Sequence, residues 1–170
     1  MKQVAVTDRL ILREFSPQDA KSFYLLNSDP EVVRFTGDVA FDSVKESEQF
    51  IETYSEYELH GFGRWSLIDK VTGEYFGFCG LRRDPITQEV DLGFRLLKSA
   101  WGKGFAYEAA CAALKIGAQQ YGVKQFVANA MRDNQASIKL LERLGFTPME
   151  AKNGDSLWLR FVLAYDIEII

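Results

Sequence analysis

Along the first stretch of the chain, RLILREF (residues 9–15) places Leu10, Leu12 and Glu14 on one side and Ile11, Arg13 and Phe15 on the other. That period of two predicts a strand. Ser16-Pro17-Gln18-Asp19 then supplies an N-cap serine, a proline at the first helical position and an acid at the third. Together they start a helix that runs to about residue 27 and stops before Ser28-Asp29-Pro30. Residues 31–41 are apolar without a clear period and contain Gly37, which predicts a loop or short helix lining something. Ser43 with Glu46 forms a capping box for a second helix, which ends at His60-Gly61. Three strand-like runs follow at residues 63–69, 75–82 and 89–97. Their short connecting turns imply an antiparallel meander.

An alanine-rich helix over residues 103–121 comes next, closed by Gly122, and then a strand over 124–131. Asp133-Asn134 caps a helix that carries Ile138, Leu141 and Leu144 on one face and ends at Gly145. Residues 146–151 and 157–164 close a hairpin around Asn153-Gly154. The order is β-α-α-β-β-β-α-β-α-β-β, an α+β pattern with a seven-stranded mixed sheet. The helix over 103–121 is long enough for a parallel crossover.

Composition narrows the class. A chain of 170 residues is the size of one domain, here residues 1–170, and 47% hydrophobic content can fill its core. Lys and Arg total 20 against 24 Asp and Glu, a net charge of −4. With a pI near 5.1, this argues against a general nucleic-acid binder. No apolar run approaches the ~18 residues of a membrane helix. The amino terminus MKQVAVTDRLILREF has no signal-like apolar core, so the expectation is a cytoplasmic protein. Cys79 and Cys111 lie far apart with no CxxC, and the expectation is two buried thiols.

The stretch Leu96-Leu97-Lys98-Ser99-Ala100-Trp101-Gly102-Lys103-Gly104-Phe105-Ala106 carries the most chemistry. A strand ends, two glycines follow and a helix begins. Several backbone N–H groups and the positive end of a helix dipole then converge, which suits phosphate or pyrophosphate. Lys103 could add a charge. Neither glycine begins a Walker loop. The dinucleotide fingerprint also fails, because Tyr107 takes its third glycine position and no acid occurs between Glu108 and Asp133. Metal-ligand clusters are absent, and one histidine with no G-x-S-x-G leaves no serine hydrolase. His60, at a helix end, suits the dipole there.

WGKGFAYEA after a strand, followed by DNQASIKLLERLGF, resembles the GNAT acyltransferase superfamily. TDRLILREF and SDPEVVRF are similar to its RimJ/RimL-type N-acetyltransferases. The resemblance spans about residues 7–165 and implies a GNAT fold with helices on both faces of the sheet. It implies acetyl-CoA as cosubstrate, no metal, and transfer to a primary amine in a ternary complex. The acceptor would be a small molecule or a protein amino terminus, and monomer and homodimer both stay open. The other reading is a CoA-binding sensor or interaction domain without catalysis.

By the same resemblance, Trp101, Gly102, Lys103, Gly104, Phe105 and Ala106 hold the pyrophosphate, with Trp101 in the family's Gln/Arg position. The pantetheine arm lies along Phe94 to Leu97, where an amide near Leu96 or Leu97 polarises the thioester carbonyl. Asn134 matches the asparagine that touches the pantetheine, and it also reads as a helix cap. Asp91 stands where the family places a base, with Glu89 the alternative on the same face. The family's thiolate-protonating Tyr is replaced by Leu141, and Ser137 is the candidate substitute. Phe35, Arg64 and Trp65 are expected to contact the acceptor, with Arg34 also able to steer an acidic one. The amine must be neutral to attack. At pH 7 that costs about 4.6 kcal/mol for a lysine side chain and about 1.1 kcal/mol for an α-amine, which favours the α-amine.

Overall fold

A computed structural model describes residues 2–149 and 157–165. Ser16 caps the turn at Pro17–Asp19 with both halves of the predicted capping box, and the chain runs from there into α1, Ala20–Ser28. The short helix α2 covers Pro30–Val33. The helix expected over residues 43–60 is two: α3, Val44–Glu52, and α4, Glu56–His60. Tertiary contacts impose the break. The Tyr54 hydroxyl accepts from the Arg64 N–H at 2.7 Å, and the Tyr57 hydroxyl donates to the Arg64 carbonyl. Both polar groups of one backbone residue are thereby anchored from the broken segment.

The strands form one eight-stranded sheet. They are β1 Gln3–Val6, β2 Leu10–Arg13, β3 Arg64–Asp69, β4 Tyr75–Arg83, β5 Val90–Leu96, β6 Gln125–Met131, β7 Thr147–Met149 and β8 Trp158–Ala164. Spatial order is β1-β2-β3-β4-β5-β6-β8-β7. The count corrects the expected seven, because β1 is a four-residue edge strand, too short and too exposed to show a buried face in sequence. All pairs are antiparallel except β5 with β6. The helix α5, Phe105–Tyr121, makes that crossover. The expected turn at Asn153-Gly154 lies outside the described residues.

Helices cover both faces. α5 packs on β4 and β5 through Ala109, Ala110 and Ala113, all fully buried. Its Gly117 lets the helix sit close, since a Cβ there would come within 2.6 Å of Leu81 and 2.8 Å of Phe126. On the other face Phe23 and Leu26 of α1 and Ile51 of α3 form a second core with Tyr75. The final helix, α6, covers Gln135–Arg143 and packs near β6. Cys79 is buried, as expected, and burial pushes its thiol up to about 12. Cys111 is exposed on α5, contrary to the expectation of two buried thiols, because the packed face of that helix is taken by alanines. No helix among the described residues is long and apolar enough to cross a membrane.

Candidate active site

β5 and β6 pair only at Val90–Phe126 and Asp91–Val127. Beyond Asp91 the two strands part, and residues from Leu92 to Leu96 face Ala128, Asn129 and Ala130 across the gap. The gap opens into a cleft of about 1390 Å³, larger than the roughly 300–1,000 Å³ of an ordinary small-ligand pocket. A long ligand and a second reactant fit there together.

The backbone polarity of β5 follows from its register. Leu97 N–H donates to Phe76 O at 2.8 Å, so it is committed to β4. Antiparallel alternation then turns the N–H groups of Leu92, Phe94 and Leu96 toward the gap. Leu97 therefore cannot serve as the polarising amide, and Leu96 can. The Leu96 carbonyl is held by the Trp101 indole N–H at 2.8 Å, which folds the glycine loop back onto the end of β5.

Gly102 and Gly104 both take left-handed backbone, at φ +70° and +81°. A Cβ on Gly102 would meet nothing within 4 Å, so that side of the loop is open. Gly104 is the N-cap of α5 and brings no capping side chain. The N–H groups of the first turn of α5 have no partner within the helix. With the dipole behind them they form an anion cradle at the mouth of the gap. The Phe105 side chain packs inward against Phe76, so its contribution to the cradle is backbone. Lys103 does not line the cleft, and its ammonium donates to Ser99 O at 2.8 Å.

Arg9 was not anticipated as a site residue. It donates to Lys103 O at 2.8 Å and pairs with Glu108 at 2.7 Å. Its guanidinium lies 4.4 Å from the centre of the Phe105 ring. Arg9 thus ties β2's leading edge to the glycine loop. In sequence it was one of many charged residues beside a strand, with nothing to mark its distant partners. Partial burial would raise the Glu108 carboxyl, but hydrogen bonds from Thr7 and Arg9 outweigh it and hold the group below its ordinary value. The stability this contributes is fully present above the unfolded value of 4.5 and is lost as pH falls through the lower folded value. Acid unfolding of Glu108→Gln, followed by circular dichroism, is expected to show a shallower loss of stability below that pH. An acid slope identical to that of the parent would contradict the assignment.

Asn134 caps α6, its side-chain oxygen accepting from Ser137 N–H at 3.2 Å. That leaves its amide N–H₂ for the cleft. Ser137 also lines the cleft, as does Leu141, which is buried. Asp91 and Arg64 face each other as an ion pair, and Arg64 also donates to Asp91 O at 2.9 Å. The guanidinium sits over Gly93, where any Cβ would collide with it. Phe35 lines the cleft beneath Arg34.

Two expectations are corrected by placement. Trp65 is 1% exposed and faces the core, on the opposite side of β3 from its neighbour Arg64; strand alternation allows only one of the two to reach an acceptor. Glu89 lies outside the cleft, beside the closed end of β5 and β6, and Arg160 holds it. The hydrogen bond from Arg160, against some burial, keeps the Glu89 carboxyl below its ordinary value, making it a weaker base.

The open sheet splays at one parallel strand pair, and a two-glycine turn aims a helix N-terminus into the splay. Comparison with known proteins gives the class. Residues 9–147 match the acetyltransferase (GNAT) domain family. An uncharacterised N-acetyltransferase of Bacillus licheniformis is 33% identical over 142 residues, covering 82% of this chain and 80% of the relative. The crystal structure of an acetyltransferase from Agrobacterium tumefaciens superposes with a TM-score of 0.83 at 23% identity, covering 97% and 95% of the two chains. The ribosomal L7/L12 α-N-protein acetyltransferase RimL, in complex with coenzyme A, superposes with a TM-score of 0.75 at 18% identity, covering 97% and 99%. The chain belongs to the GNAT acetyltransferase family and is an acetyl-CoA-dependent acyltransferase.

Proposed function

We propose that this protein transfers the acetyl group of acetyl-CoA to a primary amine by direct attack within a ternary complex. The observation that carries the reading is the continuity of the cleft. One space runs from the glycine loop, along the unpaired edge of β5, to the Arg64–Asp91 end. A pyrophosphate fits the cradle of Trp101 to Ala106. The pantetheine arm then adds to the exposed N–H groups of Phe94 and Leu96 like a short strand. Asn134 offers its amide to the arm.

The thioester carbonyl would sit at the Leu96 N–H, which stabilises the oxyanion as the amine attacks. Ser137 is the donor closest in kind to the missing Tyr. A thiol whose ordinary pKa is about 8.5 leaves tolerably without strong acid help. The low cost of neutralising an α-amine points to amino-terminal or small α-amine acceptors over lysine side chains.

Calorimetry with acetyl-CoA, then a panel of amines followed by thiol release, tests this reading. Micromolar binding with turnover fastest on α-amines is expected. Lysine ε-amines as much better acceptors would sink the preference. Binding with no turnover on any amine would favour the CoA-binding sensor.

A further inference from the structure

In an antiparallel strand the N–H and C=O of one residue leave on the same side. Leu97 N–H donates across to Phe76 O at 2.8 Å, so both backbone groups of Leu96 face the gap. The Leu96 side chain is buried in the core, so what it shows the cleft is backbone. Its N–H is the donor that would meet the thioester oxygen. The carbonyl beside it points the negative end of its dipole into the same space. The Trp101 indole N–H donates to that carbonyl at 2.8 Å. Of the gap-facing carbonyls at Leu92, Phe94 and Leu96, only the one at Leu96 accepts from a side chain among the described residues.

That difference matches the chemistry of the ligand. The amides of a pantetheine arm each have an N–H to give, so an open carbonyl at Phe94 serves them. The thioester has none. A bare carbonyl at Leu96 would be an unmatched acceptor once the ligand shut out water. It would also stand beside the oxygen that turns negative as the amine attacks, and oppose that charge. The indole supplies the donor that the thioester lacks. Trp101 is available for this task, since it is half-exposed and outside the core. Its backbone N–H is used as well, donating to Lys98 O at 3.1 Å, so it offers the anion cradle no free donor. The turn at Lys98–Ala100 carries it back over the end of β5.

Resting on the acetyl-transfer reading above, we propose that Trp101 is a positioning residue: its indole N–H holds and masks the Leu96 carbonyl, so that the Leu96 N–H stays aimed at the thioester oxygen. The peptide between Leu96 and Leu97 is fixed at both ends, by Trp101 on the gap side and by Phe76 on the β4 side. The masking matters most when charge has built up on the oxygen. Its contribution therefore falls on the transition state more than on bound acetyl-CoA.

The test uses the full chain with Trp101→Phe, which keeps an aromatic ring and removes the N–H. Its companion is Trp101→Gln, which restores an N–H donor at the same remove from Cβ without the ring. With the best amine of the panel, kcat and kcat/KM are expected to fall together in Trp101→Phe, by about 10-fold or more. Calorimetry should show acetyl-CoA affinity within about 2-fold of the parent's, because a neutral carbonyl contact is lost and no anion contact. Trp101→Gln should recover part of kcat. Trp101→Phe with the parent's kcat would overturn the assignment. So would a variant whose acetyl-CoA affinity falls as far as its rate, since that marks a binding or structural role. Trp101→Gln as slow as Trp101→Phe would overturn it too, since the ring and not the donor would then matter. A parent protein that acetylates no amine would overturn the transfer reading itself, and this assignment with it.

Discussion

Gly104→Asp is expected to weaken acetyl-CoA binding at least about 100-fold, a loss of about 2.7 kcal/mol, while leaving the fold intact. The backbone at residue 104 is left-handed, at φ +81°. Asp tolerates that region better than most residues, so strain is modest. The atom nearest a new Cβ is Arg9 Nη2 at 3.4 Å, the end of a flexible and oppositely charged side chain. The substitution can therefore be housed. What it changes is the anion cradle: a fixed negative charge enters at the N-terminus of α5, where the dipole and the free N–H groups would receive pyrophosphate. Calorimetry measures the affinity and thermal unfolding the stability. A variant that binds as tightly as the parent would place the pyrophosphate elsewhere.

The second large effect is on stability. Asp19 is 4% exposed and accepts two hydrogen bonds from the Arg13 guanidinium, at 2.6 and 2.7 Å. The Ser66 hydroxyl donates to it at 2.8 Å and the Ser16 N–H at 3.0 Å. This one carboxylate joins β2, the start of α1 and β3. Asp19→Ala strands a largely buried arginine and two donors. Breaking a buried pair in this way costs about 3–5 kcal/mol, and a domain of this size loses about 2–4 °C of Tm per kcal/mol. A fall of about 6–20 °C is expected in a thermal melt. The exposed pair Lys98–Glu31 provides the contrast, since pairs of that kind contribute about 1 kcal/mol or less. A melt shifted no further by Asp19→Ala than by Glu31→Ala would refute the argument.

Local signals told most where a backbone rule acts within a few residues. The capping box at Ser16 and Asp19, the glycine ends at Gly61 and Gly122, and the Gly102–Gly104 turn before α5 all formed as read. Each is a contest between neighbouring backbone groups and one side chain, so tertiary contacts seldom reverse it. The break in the helix over residues 43–60 was invisible, because its cause is the Arg64 backbone, outside the helix itself. β1 was missed because four half-exposed residues carry too little pattern. Trp65 was misplaced because adjacent strand residues look equally available until the sheet shows which face is core.

The candidate site divides along the same line. Sequence alone determined the class of fold, the two-glycine turn before α5 and the helix cap at Asn134, since these depend on spacing and glycine along a continuous chain. Only the tertiary structure decided what each carboxylate faces. Asp91 and Glu89 sit two residues apart and read as near equals, yet one faces Arg64 in the cleft and the other is held by Arg160 outside it. Pairing joins residues tens of positions apart through the sheet, and no local pattern encodes it.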